Sequence, residues 1–212
     1  MKLKLTILSK NKSLQKHVKQ LTKNSTILND LIVEIFSLCG IDHFTNSVRI
    51  YLIHKRNNQE MFAWFSWTPQ KSFITVEFNN LDKIDDKFLI LVLAHELFHL
   101  ILRKNKNLIR KIIKYIKPNQ LIFQKIKEER LLPRIILEEL IVSSFIPEGC
   151  LSKKYFNMPI KKISKFLYDD LIDWRRYVAY KMQKSAQTYL KNERIIDDKY
   201  IKEIVMLVRK KK

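Results

Sequence analysis

The sequence predicts an α+β fold made of many helices and one small sheet. Three observations predict it. Apolar residues recur at helical spacing over most of the 212 residues, and glycine, at 2, is too rare for a chain of tight turns. Between Ser47 and Phe78 lie three short segments with the alternation or the aromatic content of strands. After them comes an apolar run, Phe88–Leu102, that carries His95-Glu96-Leu97-Phe98-His99.

Taken in order, residues 12–40 read as two helices. Leu14, Val18 and Leu21 share one face, as do Leu28, Leu31, Ile32, Ile35 and Phe36. Asn24-Ser25 breaks the run, Ser25 or Thr26 caps the second helix, and Gly40 ends it. His17 is expected to face solvent, and His43 to sit in a loop. Ser47–His54 alternates Val48, Ile50 and Leu52 against Arg49, Tyr51 and Ile53. Met61–Trp67 and Phe73–Phe78 follow after short polar turns, which predicts an antiparallel meander. His54 ends the first strand and is expected to be a structural or surface residue.

Asp82 or Asp85 caps the Phe88–Leu102 helix, and Asp86 suits its positive end. Apolar nearly all round, that helix belongs at the centre. A basic helix follows over Leu108–Ile116, then a short one over Leu121–Ile126. Pro133 opens a helix from Arg134 to Ile146, and Pro147 stops it. A short helix is expected between Leu151 and Asp169, a long one over Trp174–Lys191 capped by Asp173, and a last one capped by Asp197. Residues 1–159 read as the main domain and 160–212 as a basic helical extension, packed on it or serving a partner.

Bulk properties narrow the function. A hydrophobic fraction of 46% supports a core, and two glycines exclude a phosphate-cradling glycine loop. The net charge of +20 comes from 41 basic and 21 acidic residues and reads as spread along the chain. Abundant lysine accounts for it as composition; a nucleic acid or other polyanion is the alternative partner. Cys39 and Cys150 have neither metal-ligand nor disulfide-framework spacing. The first ten residues lack the apolar core of a signal peptide, and Phe88–Leu102 is too short to span a bilayer. These readings predict a cytoplasmic protein with no membrane span.

The chemistry concentrates on His95, Glu96 and His99. Residues four apart on a helix share a face, so two imidazoles can address one ion. Zinc suits them: a catalytic zinc takes three protein ligands and keeps one position open. Glu96 lies near the same face and is placed to take a proton from water. The rival reading is a core helix whose histidines only hydrogen-bond to neighbours. A third ligand is expected on the Arg134–Ile146 helix, where Glu138 and Glu139 stand among apolar residues. Glu139 is preferred. Ser143 shares its face and can orient a ligating histidine, whereas Glu138 points back to Arg134 four residues earlier, as a salt bridge would. Glu138 stays the alternative, and Glu128 and Glu129 are weaker ones in charged surroundings.

With these residues in place, the layout over roughly 28–150 resembles the zincin metallopeptidases, in particular the gluzincin group and its minimal single-domain members, the minigluzincins. The resemblance implies that His95, His99 and Glu139 bind one zinc ion and that Glu96 polarises the water. It also implies that the strand near Phe73–Asn79 forms a cleft edge and pairs with an extended substrate. No third histidine or aspartate closely follows His99, unlike the metzincin pattern, and Ser143 stands where several gluzincins have aspartate. Tyr155, Tyr168, Tyr177 and Tyr180 are all open as oxyanion partners. The expected function is zinc-dependent peptide hydrolysis on a peptide or protein substrate. The alternatives are an inactive zinc-containing binding protein and a basic nucleic-acid-associated protein, in which helices near 104–117 and 174–212 contact phosphates.

Overall fold

A computed structural model of the chain describes residues 5–42, 47–54, 62–67, 72–78, 85–126, 131–163 and 165–210, and the backbone alone at 54, 62–67 and 78. The turns expected at Lys55–Glu60, Thr68–Lys71 and 79–82, the loop histidine His43 and the charged Lys127–Arg130 all lie outside the described residues. The chain forms two compact units: Met1–Phe36 with Ile41–Ile101, and Ser37–Gly40 with Leu102–Lys212.

The first unit holds the sheet. Its strands are β1 (Leu5–Leu8), β2 (Val48–His54), β3 (Phe62–Trp67) and β4 (Ser72–Phe78), in the order β1-β2-β4-β3. The α+β class holds, but the antiparallel meander does not. β2 pairs with β4 in parallel, with Ile50 opposite Ile74 and Leu52 opposite Val76. β1 also runs parallel to β2, and only β3 is antiparallel to β4. Alternation predicts a half-buried strand but names neither its partner nor its direction. The chain between β2 and β4 carries β3 and is long enough for a parallel crossover.

β4 therefore cannot be the cleft edge: β2 and β3 flank it, and the sheet's outer strands are β1 and β3. Its burial agrees with an inner strand: Ile74 and Val76 are buried on one face, and on the other Thr75 is buried between the half-buried Phe73 and Glu77. β1 was invisible in the sequence because four residues among lysines carry too little pattern.

The helices of this unit follow the periodicity closely. The expected break separates α1 (Gln15–Lys23) from α2 (Ser25–Cys39). Gly40 ends α2 at φ +59°, where Ile41 N donates to Phe36 O at 3.1 Å. α3 (Asp86–Lys104) is capped by Asp85, whose Oδ1 accepts from Lys87 N at 3.0 Å. Leu89, Leu91, Leu93, Ala94, Leu97 and Phe98 are all fully buried along it. His17 is a correction: it is buried, and its Nδ1 lies 3.4 Å from Asp86 Oδ1.

The second unit is helical. It contains α4 (Lys106–Ile116), α5 (Gln120–Phe123), α6 (Pro133–Ser143), α7 (Cys150–Phe156), α8 (Leu171–Lys191) and α9 (Asp198–Lys210). α6 is its centre and packs on α4, α5, α8 and α9. Pro133 occupies the first turn of α6, where its missing N–H costs nothing. α6 ends at Ser143, a few residues before Pro147, and α7 stops at Phe156 well short of Asp169. α8 starts a turn earlier than expected because Asp170 is its cap, accepting from Ile172 N at 2.7 Å. Asp173 instead accepts from Leu167 N at 2.7 Å. Asp197 caps α9 through Tyr200 N at 3.0 Å. Residues 160–163 and 165–210 belong to the same unit as α4–α7. Among the described residues no helix is long and apolar enough to cross a membrane.

Candidate metal centre

α3 presents both histidines from its buried length. His95 is 7% and His99 2% exposed, and their Nε2 atoms lie 3.2 Å apart. Two neutral imidazoles can share a hydrogen bond at this distance. Two nitrogens on one tetrahedral zinc at about 2.05 Å would stand about 3.3 Å apart, which is nearly the same separation. A third donor favours the metal. One ligand atom each from His95, His99 and Glu139 lies within 4.8 Å of the others, the one such set of histidine, cysteine or carboxylate donors among the described residues. Two imidazoles and one carboxylate fit a catalytic zinc, which keeps a fourth position open. Glu96, on α3 beside His95, is 9% exposed.

The second glutamate of the pair has a different task. Glu138 is fully buried between Arg103, whose Nε donates to Oε2 at 2.9 Å, and Arg134, whose Nε is 3.2 Å from Oε1. The Arg134 contact is the i,i+4 pair that its spacing suggests. With two guanidiniums on its two oxygens, Glu138 is a structural anion.

Glu139 meets one arginine more loosely. Arg175, in the first turns of α8, has Nη1 3.8 Å from Glu139 Oε2. Its Nε donates to Ser143 Oγ at 2.8 Å, and its Nη2 lies 3.1 Å from Glu148 Oε1 and donates to Oε2 at 3.2 Å. Ser143 therefore binds Arg175 and not a histidine, which corrects its expected task. Its face on α6 is the one expected, shared with Glu139. Arg175 and Glu148 escaped the sequence reading, because nothing local ties Arg175 to a glutamate on another helix. Glu128 and Glu129 lie outside the described residues.

No protein-family model, curated protein or solved structure matches the chain.

Proposed function

We propose that the chain is a zinc-dependent metallopeptidase, with His95, His99 and Glu139 as metal ligands and Glu96 as general base. The observation that carries this reading is the convergence of exactly the two imidazoles and one carboxylate that a three-ligand zinc site requires. Zinc held there supplies a Lewis acid that polarises a carbonyl and makes water acidic near neutral pH. Glu96 takes the proton of the attacking water and passes it to the leaving amine nitrogen. Glu96 is only 9% exposed, which keeps the proton local and away from bulk solvent. Glu138 holds α6 through Arg103 and Arg134 and takes no part in the proton path.

The test measures two things on one set of proteins: zinc by elemental analysis, and hydrolysis of a mixed peptide library by mass spectrometry. The wild type should hold about one zinc per chain. His95→Ala and His99→Ala should lose it. Glu96→Gln should keep the metal and lose hydrolysis. Wild type that neither retains nor takes up zinc overturns the metal site. Hydrolysis undiminished in Glu96→Gln overturns the base.

A further inference from the structure

The charge is not spread evenly. Residues 102–212 carry 28 basic and 12 acidic residues, a net of +16, against +4 for residues 1–101. This corrects the impression from the sequence as a whole. Within the second unit two stretches contain no acidic residue at all: 149–168, with Lys153, Lys154, Lys161, Lys162 and Lys165, and 174–192, with Arg175, Arg176, Lys181, Lys184 and Lys191.

The fold joins these stretches along α8. One groove, about 530 Å³, lies between α7 and α8 and is lined by Lys153, Lys154, Lys191, Asn157 and Gln187 together with Cys150 and Leu190. A second, about 280 Å³, is lined by Lys162, Ile163, Tyr177, Tyr180 and Lys181. Neither has a carboxylate among its described lining residues. Tyr180 and Gln187 stand two turns apart on one face of α8, so the grooves open in succession along about 10 Å of helix. Lys153, Lys162, Lys184 and Lys191 make no ion pair among the described residues. Lys181 lies 5.8 Å from the centroid of the partly exposed Tyr180 ring.

We propose that this surface of α7 and α8 binds single-stranded nucleic acid, with the lysines on phosphates and Tyr180 stacking a base. The chemistry separates this occupant from others. Lysine charge without carboxylate selects a polyanion. One groove with two tyrosines and a second with two side-chain amides suit successive splayed bases, which offer both a π face and hydrogen-bonding edges. A membrane surface would want several protruding apolar residues beside the charge; in the first groove Cys150 is only 3% exposed, but Met158, next to Asn157, is 40% exposed, so vesicles of anionic lipid are an arm of the test. The inference does not depend on zinc or on hydrolysis.

The test is fluorescence anisotropy of the full chain with a labelled single-stranded oligonucleotide of about 15 nucleotides, titrated at several salt concentrations. Binding should weaken as a power of salt. Lys153→Gln, Lys154→Gln and Lys191→Gln combined should lower the magnitude of that log–log slope by about 2. Tyr180→Ala should weaken binding about tenfold. A charge-matched control, with Lys106→Gln, Lys117→Gln and Lys202→Gln, removes exposed lysines of α4 and α9 and of the turn after α4. Circular dichroism checks that each variant is folded. The proposal is overturned if the control loses as much affinity as the groove variant, since the attraction is then diffuse. It is equally overturned if Tyr180→Ala binds unchanged, if a duplex competes as well as the single strand, or if only vesicles rich in anionic lipid are bound.

Discussion

Arg175 Nη1 stands 3.8 Å from Glu139 Oε2, and the same guanidinium donates to Ser143 at 2.8 Å. At 3.8 Å the first contact is charge attraction, not a hydrogen bond. The bond to Ser143 and the pair with Glu148 fix the arginine, and the arginine in turn biases where the Glu139 carboxylate points. Partners that orient a metal ligand typically contribute about 10- to 100-fold in affinity. Arg175→Gln should therefore weaken zinc retention about tenfold in a chelator competition, with the helical signal unchanged. Arg175→Lys keeps the charge but not the fork, and should fall between the two. Equal zinc affinity in all three proteins would remove Arg175 from the site.

The two adjacent glutamates of α6 should fail differently. Glu139→Gln should lose zinc and leave the apoprotein's urea midpoint close to wild type. Glu138→Gln should keep zinc but destabilise the fold. It removes the anion between Arg103 and Arg134, whose side chains are 29% and 41% exposed and so remain partly hydrated. A buried pair broken on one side costs about 3–5 kcal/mol; partial hydration of both arginines reduces that to about 1–3 kcal/mol. Metal loss in Glu138→Gln with metal kept in Glu139→Gln would reverse the assignment.

The division of labour at Glu138 was legible because Arg134 is its i−4 neighbour, and His95 and His99 were legible for the same reason: one helix fixes the geometry of residues four apart. What the sequence hid is whatever depends on two distant segments meeting. His17 looked solvent-facing because Asp86, its partner, is 69 residues away. Arg175 looked like one basic residue among many until α8 packed on α6. The strands were found within a residue or two, yet their order was not, because alternation says which face is buried and nothing about the neighbour. The partial charge asymmetry was present in the sequence all along, but only the grooves beside α8 turn a composition into a surface.

Asp197 ties stability of the second unit to acid. Burial alone would raise its carboxyl, but hydrogen bonds from Tyr189, from Tyr200 N and from Arg194 outweigh that and hold it below the ordinary value. A carboxyl lowered in the folded state contributes stability that is fully present above about pH 4, its unfolded range, and is lost as pH falls through the folded value. Asp197→Ala, which also removes the cap of α9, should cost about 1 kcal/mol at pH 7. The difference in urea midpoint between wild type and Asp197→Asn should shrink as the pH is taken from 7 to about 3. A difference that grows on acidification would contradict the sign.

Gly149 connects the fold to the Arg175 cluster. It precedes α7 with φ −102° and ψ −158°, a conformation open to any residue, so backbone freedom is not what requires glycine here. Space is. A Cβ built on Gly149 would fall inside contact distance of the Ser144 carbonyl oxygen and carbon, which are main-chain atoms at the end of α6 and have no rotamer to give way. The backbone must then move on one side or the other. Glu148, which pairs with Arg175, directly precedes Gly149, and Ser143, which accepts from Arg175, directly precedes Ser144. Gly149→Ala should accordingly destabilise the protein by about 2 kcal/mol in urea denaturation, within the range of overpacked buried sites. It should also weaken zinc retention at temperatures where the fold is intact, because both anchors of Arg175 shift. A stability loss with undiminished zinc affinity would show that the end of α6 yields without disturbing Arg175, and would separate the packing at Gly149 from the orientation of Glu139.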